Sequence, residues 1–442
     1  MNKFKLLLSN LRASLWFLPS LIVAASAVLA VVLIETDAPQ SNRFAAEWPR
    51  LFGAGAAGAR GMLSTIAGSM MSVVGVTFSM TLVALSMAST QYTSRILRNF
   101  MSSRVTQLVL GIFAGIFTYC LIVLRTIRGG DEGAFVPSLA VFGGFVLAVG
   151  GVGVLILFIH HVASSIQASS IIASVGEETV EAIARLFPNE LGHGASEAND
   201  GLPAARTQQT WQTVVARRSG YIESVDNDAL LRLAREHKTV LRMERGIGEF
   251  VVQNTALISL GGDNPADAET TTELQDAFSL SRHRTLEQDA AFGIRQLVDV
   301  ALKALSPGIN DTTTAVMCVD SLTMILARLA PQQIPGPHRY EDGELRVIAI
   351  GPSFQSLLCD AFDEIRESAK GNLGVMLTML GALATIASVT VVPGRRQALS
   401  EQVEWIAELG TRTIESPHSR ACFERRLGEV RKAFQPAQVS AT

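Results

Sequence analysis

Five hydroxyl side chains, Thr65, Ser72, Ser79, Ser86 and Thr93, recur at every seventh position of a stretch, 61–94, that holds no charged residue. Seven helical residues turn about 700°, so such a stripe drifts only about 20° per repeat. On a helix it would set oxygens along one face from end to end. Within lipid, such a face has two uses. It can line an aqueous pore, where oxygens replace part of an ion's hydration shell. It can also pack against neighbouring helices, because small hydroxylated side chains permit close approach and cross-helix hydrogen bonds. Both uses remain open on the residues alone.

A second polar group lies further along, in the run Arg282-His-Arg-Thr-Leu-Glu-Gln-Asp289 and in Ser306-Pro-Gly-Ile-Asn-Asp311. Arg284, Arg295, Asn310 and Asp311 are candidates for a pocket that holds an anionic metabolite or nucleotide. The rival reading makes Asn310 and Asp311 a turn and N-cap ahead of a helix that begins with three threonines. No Walker loop, HExxH or GxSxG pattern is present, and the four cysteines lack paired metal-ligand or redox spacing. Adjacent His160 and His161 would point about 100° apart on a helix, which disfavours a shared metal. The expectation is therefore a protein without catalysis, metal or cofactor.

The elements that must carry these residues follow from charge. Up to residue 159 there are eleven Lys/Arg and five Asp/Glu; beyond it there are 26 and 35, so the net −3 is the sum of +6 and −9. An acidic second half with no basic block argues against nucleic acid as a partner. Four stretches, 13–34, 61–94, 105–124 and 133–159, lack charge for the roughly 20 residues that a transmembrane helix needs. The excess positive charge sits in the N-terminal tail (Lys3, Lys5, Arg12) and between the second and third spans (Arg95, Arg98, Arg104). The positive-inside rule then places both termini in the cytoplasm. Gly111 and Gly115, and the pairs at 143–144 and 150–151, read as helix-packing positions.

The fourth helix is predicted to continue past His161 towards Phe187, and residues 188–210 read as a linker. From Trp211 the pattern changes to short strands around 221–225, 240–245 and 250–260, with a helix at 228–237. The segment 248–257 has a lipoyl-like strand-turn-strand flavour but no lysine at the hairpin tip. Residues 272–330 read as helical with a break at 306–311, followed by a strand at 345–350 and helices to 434. The charge-free stretch 371–394 reads as a buried helix of the soluble part, not a fifth span. The expected organisation is a four-helix transmembrane domain (1–165), a helical extension and linker (166–210), a small α+β subdomain (211–268) and a mainly helical domain (269–442). The fold class is thus an α-helical membrane protein with a mixed α+β, mainly helical, cytoplasmic C-terminal domain.

Three stretches, FSMTLVALSMASTQYTSRILRNFM, LGIFAGIFTYCLIVLRTIR and HRTLEQDAAFGIRQLVDVALKALSPGINDTTTAV, resemble a bacterial "predicted membrane protein" family catalogued as a domain of unknown function. The resemblance implies a bacterial inner-membrane protein with four N-terminal spans, and it brings no activity with it. The leading expectation is a homo-oligomeric channel or pore in the lipid bilayer, passing a small ion, with a cytoplasmic regulatory domain. The alternative is a membrane-anchored sensor or scaffold that binds a ligand through its cytoplasmic domain.

Overall fold

The computed structural model describes residues 16–37, 55–91, 104–128, 135–165, 167–187, 210–262, 266–286 and 288–434. The chain separates into two compact units, Met1–Ser170 and Ile171–Thr442.

The first unit contains α1 (Phe17–Asp37), α2 (Ala56–Gln91), α3 (Arg104–Thr126) and α4 (Ser138–Ser165). All four are long and apolar enough to cross a bilayer, as the charge pattern predicts. Helix α3 packs against the other three. It supplies the centre of the core, with Phe113, Ile116, Tyr119, Cys120 and Val123 buried. The buried phenol of Tyr119 donates to the Ala140 carbonyl at 2.7 Å, which keeps its one polar atom satisfied in an apolar setting. Glycines let the helices close up. A side chain on Gly111 would meet Pro19 and Ile22 of α1 within 3 Å, and one on Gly144 would meet Leu63 of α2 at 2.8 Å. Gly115, Gly143 and Gly151 are similarly hemmed in, whereas Gly150 faces open space. The fourth helix does not run on to Phe187. It ends at Ser165, and a separate helix, α5 (Ala168–Leu186), follows. Ser164 bonds back to the His160 carbonyl at 2.9 Å, and serines that compete for backbone carbonyls weaken a helix where they cluster.

In the second unit α5 buries Ile172, Val175, Thr179 and Ile183. Thr179 meets Gly293 so closely that any side chain at 293 would collide with it. The strands are β1 (Trp211–Val215), β2 (Gly220–Val225), β3 (Leu241–Met243), β4 (Phe250–Val251), β5 (Ala256–Gly261), β6 (Phe278–Ser281), β7 (His338–Glu341) and β8 (Glu344–Ile348). They form a five-stranded sheet, β1-β5-β3-β8-β7, and a three-stranded sheet, β4-β2-β6. Only the β3–β8 pair is parallel among those described. Helices α6 (Asn227–Glu236) and α7 (Ala268–Asp276) close the core with Leu230, Leu233 and Leu274.

The sheets thus extend past residue 268. Strand β6 lies inside the stretch that periodicity assigns to helix, because its four residues are too few to alternate visibly. The β7–β8 hairpin turns at Asp342 and Gly343, which have φ of 53° and 76°, the left-handed pair that a tight hairpin requires. Between β4 and β5 the chain turns at Asn254, φ 65°, so 250–260 is two strands.

Six helices complete the unit: α8 (Ala290–Ala304), α9 (Thr312–Leu329), α10 (Phe354–Ser368), α11 (Leu373–Ser388), α12 (Pro393–Thr413) and α13 (Pro417–Phe434). Asp289, Asp311, Ser353 and Asn372 cap the first four by accepting a backbone N–H three residues on. Such caps contribute about 1 kcal/mol each. Helix α11, the charge-free stretch, has 16 residues and so rises about 24 Å, short of a hydrocarbon core. It buries Met379, Leu383 and Ile386 within the bundle. Helix α9 has the length and composition of a span. Yet it carries Asp320 on an exposed face and buries Cys318, Leu322 and Ile325 as bundle core. At the start of α12, Arg395 donates to the carbonyls of Ala330 and Gln332, both at 2.8 Å, at the end of α9. Arg396 donates to Ala387 at 2.9 Å, at the end of α11. A cation opposes the positive end of its own helix; here the carbonyls of two other helix ends offset that cost.

Candidate functional site

The hydroxyl stripe lies on α2. One side of this helix buries Ala59, Leu63, Ala67, Met70, Thr77 and Ala84 against its neighbours. At 100° per residue, the stripe falls on the opposite side, and Thr65, Ser72, Ser79 and Ser86 are all exposed. Thr93 lies outside the described residues. The hydroxyls of Thr65 and Ser72 bond back to the carbonyls of Gly61 (2.8 Å) and Gly68 (3.1 Å). Each oxygen keeps acceptor capacity directed outward.

Sequence reasoning missed the other half of this face. Gly61, Gly68 and Gly75 precede Thr65, Ser72 and Ser79 by four residues each, at the same heptad spacing. Five glycines of α3 and α4 have a neighbour that a Cβ would strike or crowd, while these three have open space within 4 Å. The exposed face of α2 is therefore a flat ladder of glycine and hydroxyl steps. Beside it, a groove of about 490 Å³ runs between α2 and α4, lined by Gly61, Thr65, Ser69, Phe145, Val149 and Val152. The arrangement can admit another helix, or present oxygens to water.

The polar candidates of the second unit divide into two places. Arg284 grips Asp289 through two bonds, 2.7 and 3.0 Å. Asp289, 5% exposed, also caps α8 through the Phe292 N–H at 3.1 Å. Gly248, φ +83°, backs onto this pair, and a Cβ there would collide with Asp289. One helical turn along, Arg295 bonds Asp299 at 2.7 Å and pairs with Glu364 of α10. Glu364 holds its proton less readily than usual because of that bond. Asp360 sits where both arginines act on it; burial pushes its carboxyl up and the two guanidinium charges pull against that. Asn310 and Asp311 lie past the other end of α8, whose 15 residues rise about 22 Å. Asp311 accepts from the Thr314 N–H at 3.1 Å and its hydroxyl at 2.6 Å, and these bonds lower its pKa. Asn310 occupies a left-handed turn, φ 49°. One pocket cannot be formed from all four, and both guanidinium groups already hold carboxylates. Among the described residues no cluster of three or more His, Cys, Asp or Glu side chains could hold a metal.

A groove of about 220 Å³ opens between α10 and α12, lined by Asp363, Arg366, Glu367, Trp405, Glu408 and Arg412. Arg366 lies 5.3 Å over the Trp405 ring and bonds Asp363 (2.8 Å) and Gln402 (3.0 Å). No signal in the sequence joins Arg366 to Trp405, because 38 intervening residues and one whole helix separate them.

The family model described as "Predicted membrane protein (DUF2254)" matches residues 12–385. The chain belongs to this DUF2254 family. The match takes in all four N-terminal helices, both sheets and the bundle as far as α11, and it bears out the resemblance carried by the three quoted stretches. Uncharacterized proteins of Mycobacterium bovis and of two strains of Mycobacterium tuberculosis are 30% identical over 459 residues, covering 100% of this chain and 84% of each relative. No solved structure matches. This DUF2254 protein is thus an integral membrane protein that sits in a lipid bilayer through several apolar helices. Its second unit is mixed α and β.

Proposed function

We propose that the protein assembles as a homo-oligomeric channel of the bacterial inner membrane, with both termini in the cytoplasm and the second unit regulating conduction. The observation that carries this reading is the exposure of Thr65, Ser72, Ser79 and Ser86 opposite the buried side of α2. A helix face of hydroxyls turned to hydrocarbon alone gains nothing from its oxygens. Against copies of itself around an axis, the glycine steps let helices approach, and the hydroxyls line water. The test is conductance of the full chain in planar bilayers, with Ser79→Leu as the probe. Narrowing and dewetting of the pore predicts a severalfold fall in conductance with the oligomer intact. Absence of any conductance from the parent protein would overturn the reading.

A second reading, a membrane-anchored sensor, draws support from the groove at Trp405. A planar cation stacked on an exposed indole is a surface that small aromatic or cationic ligands recognise. Ligand-dependent thermal stabilisation abolished by Trp405→Ala would favour it.

A further inference from the structure

The three-stranded sheet buries one face and exposes aromatic side chains on the other, and arginines lie in the segments that flank it. Ile222, Val225, Val251 and Phe278 turn into the core. On the opposite face Tyr221 and Phe250, paired across β2 and β4, meet edge to face at 5.1 Å, and Phe250 is 52% exposed. Val252, two residues on, is 51% exposed. The turn that follows is tied to the loop between β1 and β2, with Asn254 N–H on the Ala216 carbonyl and Gln253 N–H on the Ser219 hydroxyl, both 2.9 Å.

That loop carries Arg217 and Arg218, and Arg218 donates to the Leu280 carbonyl on β6. Arg282, exposed, follows directly on β6. Two neighbouring carboxylates are occupied: Asp276 pairs with Arg217 at 3.1 Å and Glu249 with Arg245 at 3.6 Å. Glu223 on β2 is left as one carboxylate against the two guanidinium groups of Arg218 and Arg282. Among the described residues no carboxylate lies within ion-pair distance of Arg218 or Arg282. A locally positive, aromatic surface therefore stands on the half of the chain whose net charge is −9.

We propose that this surface docks on anionic lipid headgroups of the bilayer, with Phe250 and Val252 entering the interface and Arg218 and Arg282 meeting phosphates. Two half-exposed apolar side chains, one on β4 and one where it enters a hydrogen-bonded turn, lose little entropy on insertion, and reversible membrane contact takes an apolar and a basic signal together. The second unit is covalently joined to a membrane span, so headgroups are at high effective concentration. The inference stands whether or not α2 conducts.

The test uses the full chain, its native cysteines replaced, with a polarity-sensitive fluorophore on Val252→Cys. It is reconstituted in nanodiscs of phosphatidylcholine alone or mixed with phosphatidylglycerol. With phosphatidylglycerol the emission should shift to the blue and be quenched by lipids brominated on their acyl chains. Arg218→Gln with Arg282→Gln should weaken insertion about 25-fold, roughly fivefold per arginine, while Arg425→Gln on α13 leaves it unchanged. Unchanged melting of each variant establishes that the fold is kept. Aqueous emission in both lipids overturns the proposal, as does quenching indifferent to phosphatidylglycerol. A shift seen only with native membranes, and lost in pure lipid, overturns it in favour of a protein partner.

Discussion

A turn ending in Asp ahead of three threonines is a helix start, and the Asp311 carboxylate accepts from Thr314 as that pattern requires. Asp311→Ala should lower stability by about 1 kcal/mol, read by denaturant unfolding. The pH dependence has a definite sign. The folded pKa lies below the unfolded one, so the cap's stabilisation is present above about pH 4 and is lost as pH falls through the folded value. The Asp311→Ala variant should therefore converge on the parent in acid. Arg284 and Arg295 were legible as charged residues beside a helix, but their partners were not. Glu364 is 69 residues from Arg295, and no local rule connects positions that far apart. Cys318, pushed up to about 12 by burial, is inert at neutral pH.

At the scale of elements, hydrophobic period and charge-free length recovered the spans and most bundle helices, since each spans several turns. They failed where elements are short, as at β6, or where a break is made by serines, as between α4 and α5. The hydroxyl ladder was half legible: the oxygens stood out, while the interleaved glycines looked like composition. Cysteine scanning of α2 tests the face they form. With an aqueous axis, cysteines at Ser72 and Ser79 should react with small water-soluble thiol reagents in proteoliposomes. Cysteines at Leu82, exposed at a different angle, and at Ala84, buried, should react at least tenfold more slowly. Equal, slow reaction at all four positions would assign the ladder to packing.

For the molecule as a whole, the sharp partition of charge made two units legible, and contact geometry divides the chain between Ser170 and Ile171. What charge could not convey is the interleaving inside the second unit, where β8 returns from beyond α9 to pair in parallel with β3. The asymmetry of Lys and Arg makes a global prediction. Reporters fused at residues 40 and 130 should behave as periplasmic, and one after Thr442 as cytoplasmic. A periplasmic C-terminus would contradict the positive-inside assignment and, with residues 40 and 130 still periplasmic, would require a further span, for which α9 has sufficient length among the described residues.

The adjacent arginines at the head of α12 bear on how that half of the molecule comes apart. Arg395 holds the end of α9 and Arg396 the end of α11, so α12 cannot fray from its first turn without releasing both. Local opening there is coupled to wider opening, and amides near residues 329, 387 and 399 should exchange with solvent deuterium at one common rate. Such common exchange would make α9, α11 and α12 one cooperative block, in which a displacement at one helix end is felt at the others.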